Sequence, residues 1–108
     1  MINEFITYCR YEVYIGLSDQ ITLTEKVHST EFKEYIFKYC SENKIDFSMR
    51  EIKGGYNHNN GYTIENSVVI TLIGEESARF LDIIDTIKQY LNTDTVLVTR
   101  EYLEAVFI

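Results

Sequence analysis

The chain has 108 residues, 45% of them hydrophobic, and a formal net charge of −7. That length suits one ordinary domain, and that apolar share can build a core without metals or cross-links. Absence of any apolar run of about 18 residues excludes a membrane-spanning helix, and the acidic balance argues against direct nucleic-acid binding and against anionic membranes, where a basic footprint is expected.

The N-terminal stretch MINEFITYCRYEVYIG carries Glu4 and no cationic segment, so no signal peptide is expected, and a cytoplasmic location is the expectation. YEVYIGL, Tyr11 to Leu17, alternates. Val13, Ile15 and Leu17 fall on one face, with Tyr14 and Gly16 on the other, which reads as a strand. A connection of polar residues follows, in which Ile21 and Leu23 alternate and suggest a short extra strand.

STEFKEYIFKYCSENK reads as the first helix. Ser29 or Thr30 can cap it. Phe32, Tyr35, Ile36, Tyr39 and Cys40 follow helical spacing and form its apolar stripe. DFSMREIKGGY and YTIENSVVITLI read as two strands joined by a hairpin. Apolar side chains fill both faces of Val68 to Ile73, which marks a central strand covered on both sides.

GEESARFLDIIDTIKQYLN reads as the second helix, with Ser77, Phe80, Leu81, Ile84, Ile87, Lys88 and Leu91 along one side and Asn92 as its stop. TVLVTREYLEAVFI supplies a last strand, broken or bulged near Arg100 and Glu101. The order β-α-β-β-α-β predicts an α+β, ferredoxin-like sandwich in one domain over 1–108. It is a four-stranded antiparallel sheet with two helices on one face. In that topology the first and third strands are central, and here they are the most apolar. The opposite face also carries large side chains, so it is expected to pack against another subunit.

The segment NGYTIENSVVITLIGEESARFLDIIDTIKQYLNTDTVLVTREYLEAVFI, in this element order, resembles the PII-like superfamily, which includes the PII signalling proteins and the CutA family. The CutA likeness is carried by ENSVVITLI followed by a helix and a VLVT strand, and the PII likeness by the ending VLVTREYLEAVFI. The resemblance implies a homo-oligomer, a trimer with inward-facing sheets. It also implies nucleotide binding between subunits through the loop that joins strands two and three. The chain departs from the PII pattern where it reads LNTDTV in place of a glycine-rich, arginine-bearing phosphate loop. Near the end, the expected basic residues reduce to Arg100.

Motifs for catalysis are scarce. His28 and His58 are the only histidines, and no nucleophile elbow, zinc-protease, paired-cysteine or phosphate-loop pattern occurs. Neither a metal nor a cofactor is implied. Cys9 and Cys40 are too few for a disulfide framework and read as packed thiols. Asp82 and Asp85 read as a solvated helix face.

The unusual stretch is KGGYNHNNGYTIEN, Lys53 to Asn66. Asn60-Gly61 is a strong signal for a two-residue turn, which would set Tyr56 across from Glu65. Gly54-Gly55 is not explained by that turn and suggests a bulge or a close approach by another group. Around it, Tyr56 and Tyr62 offer ring faces, Asn57 and His58 offer polar edges, and Arg50, Lys53 or Arg100 could meet an anion. The set Arg50, Lys53, Gly54, Gly55, Tyr56, Asn57, His58, Tyr62 and Arg100 is therefore the expected ligand site.

The leading expectation is a non-enzymatic, oligomeric protein that senses or sequesters a small anionic metabolite or nucleotide at an inter-subunit cleft. An acidic protein-interaction module or inhibitor, possibly from a mobile element, is the second reading. A small hydrolase or lyase with His58 as base is the third.

Overall fold

The computed structural model describes residues 4–17, 29–58, 61–74 and 79–108; the side chains of Tyr56, His58 and Thr63 also stand outside the description. The elements are β1 (Ile6–Gly16), α1 (Ser29–Glu42), β2 (Ser48–His58), β3 (Gly61–Gly74), α2 (Arg79–Leu91) and β4 (Leu97–Ala105). The four-stranded antiparallel sheet has the order β2-β3-β1-β4, so the two most apolar strands are central as expected. The extra strand expected at Ile21 and Leu23 falls outside the described residues.

Alternation divides each central strand cleanly. Cys9, Tyr11, Val13, Ile15 and Leu17 join Val68, Ile70 and Leu72 in one buried cluster with Phe32, Ile36 and Cys40 of α1 and Phe80, Ile83, Ile84, Ile87 and Leu91 of α2. Both helices therefore cover one face. On α1 the expected stripe holds: Tyr35 and Tyr39 flank the buried trio, and Tyr35 stacks on Tyr90 of α2 with centroids 3.9 Å apart. Burial pushes the Cys40 thiol up to about 11, as desolvation disfavours a thiolate.

Both helices end in the same way. Lys44 and Asn92 adopt left-handed φ values of 55° and 51°. Ile45 N–H then donates to Cys40 C=O at 2.9 Å, and Thr93 N–H donates to Lys88 C=O at 3.0 Å. These are Schellman closures, which satisfy carbonyls that the helix leaves bare. Ile45 also packs on the core, as the hydrophobic residue after such a closure usually does.

Four local expectations are corrected. The β2–β3 register is continuous from Ser48↔Thr71 to His58↔Gly61, so β2 has no bulge, and Ile52 simply faces the side away from the helices. The hairpin register differs by two residues from the one that Asn60-Gly61 suggests: Gly54, not Tyr56, stands across from Glu65. A shift of two keeps every side chain on its face, so core burial alone does not choose between the registers. β4 likewise pairs without a break from Leu97↔Tyr14 to Ala105↔Ile6. On α2, Leu81 is 57% exposed while Ile83 is fully buried.

The β2–β3 hairpin runs past its neighbour. β1 stops pairing at Gly16↔Ser67, whereas β2 and β3 continue together to His58↔Gly61. Among the described strands, β2 and β3 therefore project from the sheet as a two-stranded ribbon, and the molecule extends 58 Å along its long axis against 28 and 21 Å across.

Candidate functional site

The face away from the helices is built in cross-strand rows. Arg10 of β1 pairs with Glu101 of β4. Arg50 of β2 reaches across β3 to Glu12 of β1 at 2.9 Å and also donates to Thr71 at 3.5 Å. Beyond this charged band lie Tyr14, Leu97 and Val69, then Gly16, Ser67 and Ile52 in the next row. Val69 is fully buried here although neither described helix covers this face.

Glu65 is the next residue of β3 on the same face, and sequence reasoning passed over it. Among the described residues it is a charged side chain only 6% exposed, with Ser67 at 2% beside it. A glycine stands on each side. Gly54 is directly across on β2. Gly16 is the diagonal neighbour on β1, where an added Cβ would meet the Glu65 carboxylate, 3.1 Å from its Cδ. The missing side chain at 16 gives the carboxylate its room. A glycine within a strand also suits the close approach of another group.

The other face of the ribbon is built around Tyr62. Its hydroxyl end rests over Gly55, where a Cβ would lie 2.6 Å from Cζ. Gly55 thus marks a close approach on this face, Gly54 stands across from Glu65 on the other, and the pair makes no bulge.

The expected ligand residues are accordingly split. Arg50 and Gly54 lie on the open face; Lys53, Gly55, Asn57 and Tyr62 lie on the helix-side face of the ribbon. Tyr56 and His58 pair through their backbones with Thr63 and Gly61, and their side chains are outside the described residues. Arg100 is on β4, with β3 and β1 between it and β2, and its guanidinium sits 5.4 Å from the Tyr102 ring centroid. Within one chain it does not join the hairpin residues. Arg50 is neutralised by Glu12, which weakens its case as an anion receptor.

Elsewhere, a polar hollow of about 320 Å³ opens at the end of α2, lined by Asp85, Lys88, Gln89, Asn92, Thr93 and Asp94. Among the described residues no three His, Cys, Asp or Glu side chains gather as metal ligands. None of their helices is long and apolar enough to cross a membrane. Asp82 and Asp85 are exposed, as a solvated face should be.

No family model matches the chain. No curated protein matches it either. Two solved structures do. A phage SAM lyase in complex with S-methyl-5′-thioadenosine aligns with a TM-score of 0.64 at 14% identity, covering 93% of this chain and 90% of the other. A phage SAM lyase in the apo state aligns at 0.60 and 16% identity, covering 95% and 90%. At such identities the likeness shows the shared α+β fold. Both structures are of an enzyme, which corrects the expectation of a non-enzymatic metabolite binder.

Proposed function

We propose that this protein is a lyase acting on S-adenosylmethionine and releasing S-methyl-5′-thioadenosine. The observation that carries the reading is the fold likeness over nearly the whole chain to a lyase that holds that thioether. In such a cleavage the C–S bond to the amino-acid arm of the sulfonium breaks and its electron pair goes to sulfur, which becomes a neutral thioether. The carbon released is closed either by the substrate's own carboxylate, giving a lactone, or by loss of the neighbouring C–H proton to a base, giving an alkene, so neither water nor an oxidant is consumed.

Glu65 suits a cationic substrate. A carboxylate shielded from bulk water attracts a sulfonium or an ammonium far more strongly than an exposed one does. The sulfonium loses its charge as the bond breaks, so attraction to it favours the bound substrate and not the transition state. Glu65 is therefore assigned to binding.

The test is direct. Purified protein is incubated with S-adenosylmethionine, and S-methyl-5′-thioadenosine is followed by liquid chromatography and mass spectrometry. Turnover by the wild type and a raised KM in Glu65→Gln support the proposal. Thioether formation no faster than the protein-free control overturns it. A fall in kcat at unchanged KM reassigns Glu65 to proton abstraction.

We also propose that the open sheet face packs on further copies of the chain, as the PII-like resemblance implies. Ile6, Ile73 and Leu97 expose 43%, 46% and 63% of their surface there, beside the buried Val69. Native mass spectrometry decides it, and a monomer at micromolar concentration defeats it.

A further inference from the structure

We infer that Tyr62 forms a stacking platform for a purine nucleoside, a binding site separate from the one built on Glu65. Strand alternation separates them: Glu65 belongs to the open face of the ribbon, and Tyr62 to the helix-side face. The proposal leans on the lyase reading only for its choice of probe.

The ring is fixed from below and open above. Asn57 is the direct partner of Tyr62, and Gly55 is its diagonal neighbour on the same face. A Cβ at position 55 would stand 2.6 Å from Tyr62 Cζ and 2.9 Å from Cε1, so only glycine lets the ring end lie on the β2 backbone. A tyrosine held this way loses little further freedom when something stacks on it. Its outer surface is free: Tyr62 is 67% exposed, and Ile64, two residues along, is 69% exposed.

The surroundings specify the ligand class. Lys53, Asn57 and Asn66 are exposed on the same face as the ring, with Lys53 paired to Asn66. A planar base can cover Tyr62, its polar edge can meet the amide of Asn57, and its sugar can extend over Ile64 toward Asn66 and Lys53. Bases stack on aromatic side chains because each presents a π-face. Purines offer the larger one. A polynucleotide is disfavoured by the net charge of −7.

The experiment is calorimetric titration of S-methyl-5′-thioadenosine into the full chain and into Tyr62→Leu, Tyr62→Phe, Gly55→Val and Glu65→Gln, with S-adenosylmethionine cleavage assayed in parallel. Tyr62 is exposed, so its variants are expected to fold, and circular dichroism checks this. Roughly tenfold or greater weakening in Tyr62→Leu and Gly55→Val, with Tyr62→Phe near wild type, supports the platform. Unchanged binding in Tyr62→Leu overturns it, as does loss of binding in Glu65→Gln alone. Absence of binding by the wild type at millimolar nucleoside also overturns it. The cleavage assay judges the lyase separately, because nucleoside binding without cleavage leaves the platform standing and removes the lyase.

Discussion

The carboxylate of Glu65 on β3 lies over Gly16 of β1, in space that any side chain at position 16 would take. The contact falls at the far end of a flexible side chain, so Glu65 can swing aside at small cost. Gly16→Ala is therefore expected to change the unfolding free energy by no more than about 1 kcal/mol. If the chain is the lyase proposed above, the change should nonetheless displace the carboxylate and raise the KM for S-adenosylmethionine roughly tenfold. Urea denaturation and steady-state kinetics measure the two. Unaltered kinetics in a folded Gly16→Ala would remove Glu65 from the substrate site.

Why Glu65 was illegible in the sequence follows from the register. A glutamate in an alternating strand reads as a solvent-facing residue. The sign of something else is the glycine on either side, and that sign depends on knowing which residues are paired. With Asn60-Gly61 as the turn, Tyr56 would face Glu65 and the gap at Gly54 would be hidden. The fold itself was legible, because the apolar alternation of β1 and the helical stripe of α1 each have one way to be buried, and the two-sided apolar run of β3 asks for a central place in the sheet. Tyr62 was legible as an exposed ring, but its seat on Gly55 was not, since that contact runs diagonally between strands.

Glu51 should give the fold an acid-sensitive limb. Its carboxylate meets Lys33 Nζ at 3.1 Å and ties the start of α1 to β2. Hydrogen bonds from Lys33, then Ser29, and the charge of Lys33 hold its pKa below the ordinary value. A depressed folded pKa means that the stabilisation is present above the unfolded pKa and fades as pH falls through the folded one. The stability difference between wild type and Glu51→Gln should therefore be constant near neutrality and shrink below a pH of about 4. Thermal melts across that range test it. A difference that persists undiminished well below pH 3 would assign the effect to something other than this carboxylate.

Ile83 and Leu81 of α2 are two positions apart and should respond very unequally to truncation. Ile83 is fully buried among the core residues, whereas Leu81 is 57% exposed. Helical spacing from Phe80 admits either neighbour to the apolar side, and packing against the sheet selects Ile83. Ile83→Ala should cost about 2–5 kcal/mol, as buried Ile→Ala changes do, and Leu81→Ala should stay within about 0.5 kcal/mol. Chemical denaturation of both separates them. Equal losses would mean that α2 is rotated from the orientation described, or that Leu81 is covered by another copy.

Lys44 is the simplest place to make the fold more stable. It closes α1 at a φ of 55°, where a β-carbon crowds the backbone. Asn92 closes α2 at 51°, but asparagine tolerates that region better than lysine does. Lys44→Gly removes the crowding and keeps the closing bonds, which are made by backbone groups: Lys44 N–H to Ser41 C=O at 3.4 Å and Ile45 N–H to Cys40 C=O at 2.9 Å. The added freedom of glycine in the unfolded chain offsets part of the gain. The net expectation is about 0.5–1 kcal/mol of stabilisation, read as a higher urea midpoint at unchanged m-value. Lys44→Ala, which keeps the β-carbon, should show none of it. A glycine variant no more stable than the alanine variant would mean that the left-handed closure at Lys44 carries no strain to relieve.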